Sequence, residues 1–241
     1  MIKLENIVKR FPVNESFARN DQIRDGYFYA LDDISLTIKN GECVIIAGAN
    51  GSGKSLLMSI IAGLDEPNSG GVKTDAQVGL VFQEADAQIL GETPREDIAF
   101  GPRNMKLKKE EIKQRVEDAL CQTGIIEKAD FPARSLSGGE KRRLATAGVL
   151  AMDAQIIIFD EPYANMDYPG IISINALIKK LIANDKTIII LTHEIEKCLS
   201  LSDRFIALCK GKKVLDCPAK DTLNNNLEEW SIRSPLGGLL W

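Results

Sequence analysis

GANGSGKS, residues 48 to 55, is the stretch on which the fold turns. Gly48-Ala49-Asn50-Gly51-Ser52-Gly53-Lys54-Ser55 fits the pattern G-x-x-x-x-G-K-[ST]; the apolar run CVIIA precedes it and the apolar run LLMSIIAGL follows. Strand, glycine loop and helix, in that order, form the context in which this pattern is a phosphate cradle rather than an ordinary glycine-rich turn. Glycines let the backbone close around phosphate oxygens, while loop amides and the helix N-terminus supply positive potential. In such a loop Lys54 contacts the β- and γ-phosphates and Ser55 ligates Mg²⁺.

Working outward, short apolar runs bounded by turn residues recur: CVIIAG (43–48), VGLVFQ (78–83), QIIIFD (155–160), KTIIILTH (186–193) and FIALCKG (205–211). Runs this short and apolar on both faces suit a parallel sheet covered by helices. IKLENI and ISLTI alternate instead, which predicts an antiparallel flank with one wet face. Between the second and third core runs the character changes. In KEEIKQRVEDALCQTGI, Ile112, Val116 and Leu120 share one helical face. The expected fold is therefore α/β: a mostly parallel sheet with an antiparallel β flank and a helical subdomain inserted at about residues 90–150. One domain over 1–241 is expected, with a C-terminal tail from about 218 to 241. Residues 14–26, NESFARNDQIRDG, are polar and aperiodic and read as an exposed loop.

A second loop, RSLSGGEKRR (134–143), also prepares a helix N-terminus. Ser137-Gly138-Gly139-Glu140 has capping-box spacing ahead of KRRLATAGVLAM, so Ser137 can cap that helix while the glycines leave amides for an anion. The strand run QIIIFDEP ends in two carboxylates. Beside a phosphate loop, Asp160 at the sheet's C-terminal edge is placed for Mg²⁺, and Glu161, the next residue, for a water at the γ-phosphate. Without that loop the same stretch would read as an acidic turn before Pro162.

Composition narrows the function classes. The 241 residues carry 30 Lys and Arg against 34 Asp and Glu, a formal charge of −4, so no electrostatic grip on nucleic acid is expected. Cys43, Cys121, Cys198, Cys209 and Cys217 lack the short paired spacing of a zinc site and read as reduced thiols. No uncharged apolar run reaches the length that spans a bilayer, and MIKLENIVKR lacks a signal peptide's apolar region.

LSGGE before the acidic strand, GANGSGKS upstream, Gln83 closing VGLVFQ and His193 closing IIILTH together resemble the ATP-binding subunit of an ABC transporter, in order and at family spacing over nearly the whole chain. The resemblance implies a P-loop NTPase core that binds and hydrolyses ATP with Mg²⁺, attached to the cytoplasmic face of the membrane. It implies that two such ATPases, identical or paralogous, meet head to tail. Each signature loop (Ser137, Gly138, Gly139, Glu140) then addresses the γ-phosphate held by the other chain's phosphate loop, including Asn50, Gly51, Ser52, Gly53, Lys54 and Ser55. It further implies that His193 contacts the γ-phosphate and helps hold the attacking water. Gln83 touches Mg²⁺ or that water and relays nucleotide state to integral membrane subunits, which bind the cargo. Asp167 matches the D-loop aspartate. The aromatic that stacks on adenine matches Phe11, with Tyr27 and Tyr29 as alternatives.

The chain also departs from the pattern: Glu140 stands where Gln is frequent, and the D-loop reads Ala164-Asn165-Met166-Asp167. VGLVFQEADAQILGETPREDIAFGPRNMKL, through Asp86, Gln88 and Asp97-Ile98-Ala99-Phe100-Gly101-Pro102, is similar to energy-coupling factor and cobalt-type importer ATPases, which serve vitamin or transition-metal uptake. The alternatives are an exporter ATPase and a soluble non-transport ATPase. A chromosome-maintenance ATPase would separate the two loops by a long coiled coil, and a translation-associated one would carry two cassettes; neither is present. A non-hydrolysing module would lack Glu161 or Lys54. The tail's Trp230 and Trp241 are expected to pack on the chain's own core, with a partner-binding role as the alternative.

Overall fold

A computed structural model describes residues 1–13 and 21–235. It divides into two compact units, Met1–Asp75 with Ile189–Trp241, and Ala76–Ile188. Along the chain the first unit opens with β1 (Ile2–Pro12), β2 (Ile23–Arg24), β3 (Tyr27–Ile38), β4 (Cys43–Ala47), α1 (Lys54–Ile61) and β5 (Ser69–Thr74). The second holds β6 (Val78–Val81), α2 (Pro94–Asn104), α3 (Lys109–Thr123), α4 (Gly138–Ala151), β7 (Ile156–Asp160) and α5 (Tyr168–Ala183). β8 (Thr187–Thr192) carries the chain back, and β9 (Arg204–Cys209) and β10 (Lys212–Pro218) follow.

In the first unit the alternating segments form the expected antiparallel flank: β1 pairs with β3 (Ile2↔Ile38, Leu4↔Leu36) and with β5 (Ile2↔Thr74). Ile2, Leu4 and Ile7 are buried while Glu5 and Asn6 are exposed, the inside-outside pattern that one wet face requires. β4 is buried at every residue and pairs in parallel with β9, which pairs antiparallel with β10. Burial and the nearby acids Asp203 and Glu42 push the Cys43 thiol in β4 up to about 12.

The loop reading of residues 14–26 needs correction. Residues 14–20 lie outside the described residues, but Ile23 and Arg24 form β2, which pairs with Phe28 and Tyr27 of β3. Asp25 (φ 52°) and Gly26 (φ 76°) make the two-residue connection, with both central residues at positive φ. Asp-Gly between paired residues is a strong hairpin signal, because that left-handed pair matches the strands' twist. Two residues of strand are too few for an alternation to be visible.

In the second unit β6 and β7 pair in parallel (Val78↔Ile156, Val81↔Phe159). α2, α3 and α4 occupy the expected helical stretch. Val116 and Leu120 of α3 are buried with Ile98, Leu144 and Ala147, and Ile112 packs at the edge of this cluster. Thr93 caps α2, its hydroxyl accepting from Glu96 N at 3.3 Å, with Pro94 at the first position, where its missing N–H costs nothing. At Gly79 of β6 an added Cβ would lie 2.0 Å from Val149 Cγ1, so only glycine lets α4 pack this closely on the strand. Among the described residues no helix is long and apolar enough to cross a membrane.

Candidate functional site

The phosphate-loop sequence lies between β4 and α1, where its flanking runs placed it. Gly53 begins α1 from a left-handed conformation, φ 101°. The loop is held from two sides: Gly211 N donates to Ser52 O at 3.1 Å, and Ala30 O lies within 2.8 Å of where a Gly53 Cβ would stand. Lys54 is 6% exposed, and its Nζ donates to Gly48 O at 2.7 Å and Ala49 O at 3.2 Å, so the ammonium is folded into the loop. Ser52 Oγ is buried without a hydrogen-bond partner. A buried cation and an orphaned hydroxyl in a ring of backbone fit a loop built for anionic oxygens. Asn50, Gly51 and Ser55 are exposed around it.

His193 follows the last residue of β8 and is exposed. Phe11, near the end of β1, is 44% exposed, with Lys9 Nζ 5.7 Å from its ring centre. The two tyrosines are more committed. The Arg10 guanidinium lies 4.3 Å from the Tyr27 ring centre, and Tyr29 has Arg24 at 4.2 Å and accepts from Arg10 through its hydroxyl at 3.1 Å. Phe11 therefore offers the more open ring face of the three.

The remaining candidates lie in the second unit. Asp160 ends β7, and Glu161 follows at φ 45° and 7% exposure. A buried glutamate in left-handed backbone costs roughly 1–3 kcal/mol, strain of the sort that gathers where a side chain must point one particular way. The chain then turns through Ala164 N to Glu161 O at 3.2 Å and Asn165 at φ 58°. Asp167 Oδ1 accepts from Gly170 N at 2.9 Å, capping α5.

Gln83 is exposed just beyond β6. Gln88 closes the turn after it, donating to Leu80 O at 2.9 Å and accepting from Phe82 N at 3.1 Å. Asp97 Oδ1 accepts from Leu90 N at 2.6 Å and Gly91 N at 2.9 Å. Both residues thus shape the segment on which the importer likeness rests.

At the second loop the capping box is formed. Ser137 N donates to Glu140 Oε2 at 2.9 Å, and Glu140 N to Ser137 Oγ at 3.4 Å. The other Glu140 oxygen pairs with Lys128. That ion pair, with the Ser137 amide, holds the Glu140 carboxyl below its ordinary value. The glutamate that replaces the frequent Gln is thus ionised, but a cation beside it offsets its charge. A groove of about 800 Å³ is lined by Gln83, Asp86, Ser137, Arg142, Asn165 and Ser173.

The profile of the ABC transporter family matches residues 31–164. The chain belongs to this family. The energy-coupling factor transporter ATP-binding protein EcfA2 of Clostridium tetani is 37% identical, the alignment covering 97% of this chain and 85% of that protein. The cobalt import ATP-binding protein CbiO of Rhodobacter capsulatus is also 37% identical, over 86% and 80%. Among solved structures, cbiO1 from Clostridium perfringens, part of the ABC transporter complex cbiONQ, superposes with a TM-score of 0.80 at 34% identity, over 93% of this chain and 90% of that one. The ATP-binding cassette MJ0796, a dimer in a post-hydrolysis state bound to ADP and Pi, gives 0.76 at 30% identity, over 91% and 99%.

Within this ABC cassette fold two residues went unsingled in the sequence. Lys141 pairs with Asp86, and Arg142, only 7% exposed, donates to Gln83 O and Ala164 O, each at 3.1 Å. The visible signal was KRR at the start of an otherwise apolar helix; a basic run there reads as a solvated face, and only packing shows that its middle member is buried.

Proposed function

We propose that this chain is the ATP-hydrolysing subunit of a membrane importer of the energy-coupling factor type, taking up a vitamin or a transition-metal ion bound by other subunits. The observation that carries the reading is the phosphate loop, with Lys54 buried against the Gly48 and Ala49 carbonyls beside the orphaned Ser52 hydroxyl. The likeness to EcfA2 and CbiO proteins supports the importer branch, and MJ0796 supports a dimeric working state. The chain has its place at the cytoplasmic face of the membrane, held by its membrane subunits.

Each residue has a role that follows from its chemistry. Asn50, Gly51, Ser52, Gly53 and Lys54 bind the phosphates, and Phe11 stacks on the base. The Ser55 hydroxyl, the Asp160 carboxylate and the Gln83 amide are hard oxygen donors. Among the described residues no cluster of three or more acidic, His or Cys side chains could cage a metal alone. That donor set fits Mg²⁺, which takes few protein oxygens alongside phosphate oxygens. When bound, Mg²⁺ neutralises phosphate charge. Glu161 takes a proton from the attacking water, His193 orients that water at the γ-phosphate, and Gln83 reports its presence to the membrane subunit. Ser137, Gly138, Gly139 and Glu140 address the partner chain's nucleotide, and Asp167 holds the D-loop through its cap.

The test is Glu161→Gln, which keeps the side-chain shape and removes the base. Phosphate release should fall by roughly a hundredfold or more while binding of a fluorescent ATP analogue persists. Hydrolysis near the wild-type rate would remove Glu161 from the reaction.

A further inference from the structure

We propose that Arg142 is a positioning residue that ties the backbone at Gln83 to the 164–167 loop, so that both move with the helix capped by Ser137. The inference rests on the ATPase reading above and deepens it.

Arg142 is 7% exposed on α4. Its Nη2 donates to two carbonyls, Gln83 O and Ala164 O, at 3.1 Å each, while its Nε is buried with no partner. Among the described residues no carboxylate pairs with it, and burial draws its pKa down, as expected for a cation with water removed and no counter-charge supplied. For stability alone this is a poor arrangement, because an apolar side chain of similar volume would avoid the desolvation. What the guanidinium gains is geometry: the two hydrogens of Nη2, held in the plane of a rigid group, reach carbonyls on two separate segments, a direction that a freely rotating ammonium on a flexible stem does not fix. Lys141, the preceding residue, reaches the same segment through Asp86. Two consecutive basic residues of α4 therefore grip 83–86, one by backbone and one by side chain, and Arg142 adds the Ala164 carbonyl.

The segment that faces a membrane subunit, the loop after the catalytic strand and the signature helix thus share one buried hydrogen-bond donor. A displacement at Gln83 must either carry Ala164 and α4 with it or break a charge-assisted hydrogen bond.

The test compares wild type with Arg142→Gln and Arg142→Lys in the full chain, together with whatever membrane subunits copurify. It reads kcat and KM for ATP, and the affinity and stoichiometry of a fluorescent ATP analogue. Because the phosphate loop belongs to the other unit, analogue affinity and stoichiometry should stay within about twofold. By contrast kcat should fall about 10- to 100-fold, the range for losing one or two charge-assisted hydrogen bonds. Arg142→Lys should restore folding but not kcat. Unchanged kcat in both variants would overturn the proposal, as would a fall in kcat matched by an equal fall in binding stoichiometry, since that marks lost fold rather than lost positioning. Wild-type protein without ATPase activity would overturn the function reading itself, and this role with it.

Discussion

Gly53→Ala isolates how tightly the phosphate loop is built, because Gly51→Ala in the same loop serves as its control. Gly53 has φ 101° and Gly51 φ 80°, so a side chain at either position carries a left-handed penalty of about 1–2 kcal/mol. Their surroundings differ. A Cβ on Gly51 meets nothing within 4 Å, whereas one on Gly53 lies 2.7 Å from Leu31 Cδ2 and 2.8 Å from Ala30 O. The Leu31 methyl can turn aside, but the carbonyl belongs to β3 and cannot. Overpacking of this sort adds about 1–3 kcal/mol, for a total of about 2–5 kcal/mol at Gly53. At a urea slope of about 3 kcal/mol per M, the midpoint should fall by about 0.7–1.7 M for Gly53→Ala and about 0.3–0.7 M for Gly51→Ala. Tryptophan emission is a suitable probe, since Trp230 belongs to the unit that carries the loop, while Trp241 lies outside the described residues. Equal midpoints for the two variants, or a lower one for Gly51→Ala, would refute the close-approach argument and leave only backbone conformation to explain the glycines.

Two other outcomes follow from the second loop. Lys54→Ala and Ser137→Arg should each be nearly inactive alone yet recover phosphate release when mixed under subunit exchange, because a mixed dimer gathers both lesions into one composite site; no recovery after confirmed exchange would count against a homodimer working in trans. Glu140→Gln should flatten the acid limb of the stability profile: the Glu140 carboxyl is held below its ordinary value of 4.5, so its contribution is present above that pH and lost as pH falls through the lowered value. Urea midpoints for both proteins from neutral pH down to below 4.5 would check this, and parallel curves would show that the Lys128 pair contributes nothing.

Much of this protein could be read from its residues because the deciding features are local. GANGSGKS between two apolar runs specifies strand, loop and helix within one short stretch, and S-x-x-E specifies its own cap, so β4, α1 and the Ser137–Glu140 box stand where the pattern put them. Apolar runs at β7, β8 and β9 declare burial on both faces, and the alternation of β1 and β3 declares one wet face, neither needing knowledge of a neighbour; the run at β6 reads the same way, yet Val78 and Leu80 are only half-buried. Tertiary structure decided what depends on who lies across the chain. β2 was missed because two residues show no period, although Asp25-Gly26 held the hairpin signal. Glu161 stands out in the sequence as a candidate by its type and place, but its positive φ is a property of the turn through Ala164 and Asn165 that no strand pattern carries. Lys128 lies outside the LSGGE motif, and only folding brings it to Glu140. Arg142 looked like one charge among three until packing buried it against the carbonyls of Gln83 and Ala164, residues 59 and 22 positions away. Hydrophobic period and capping chemistry act over a few residues and are written in order along the chain, whereas ion pairs and buried donors join positions whose separation in sequence is arbitrary, so only the folded chain shows them.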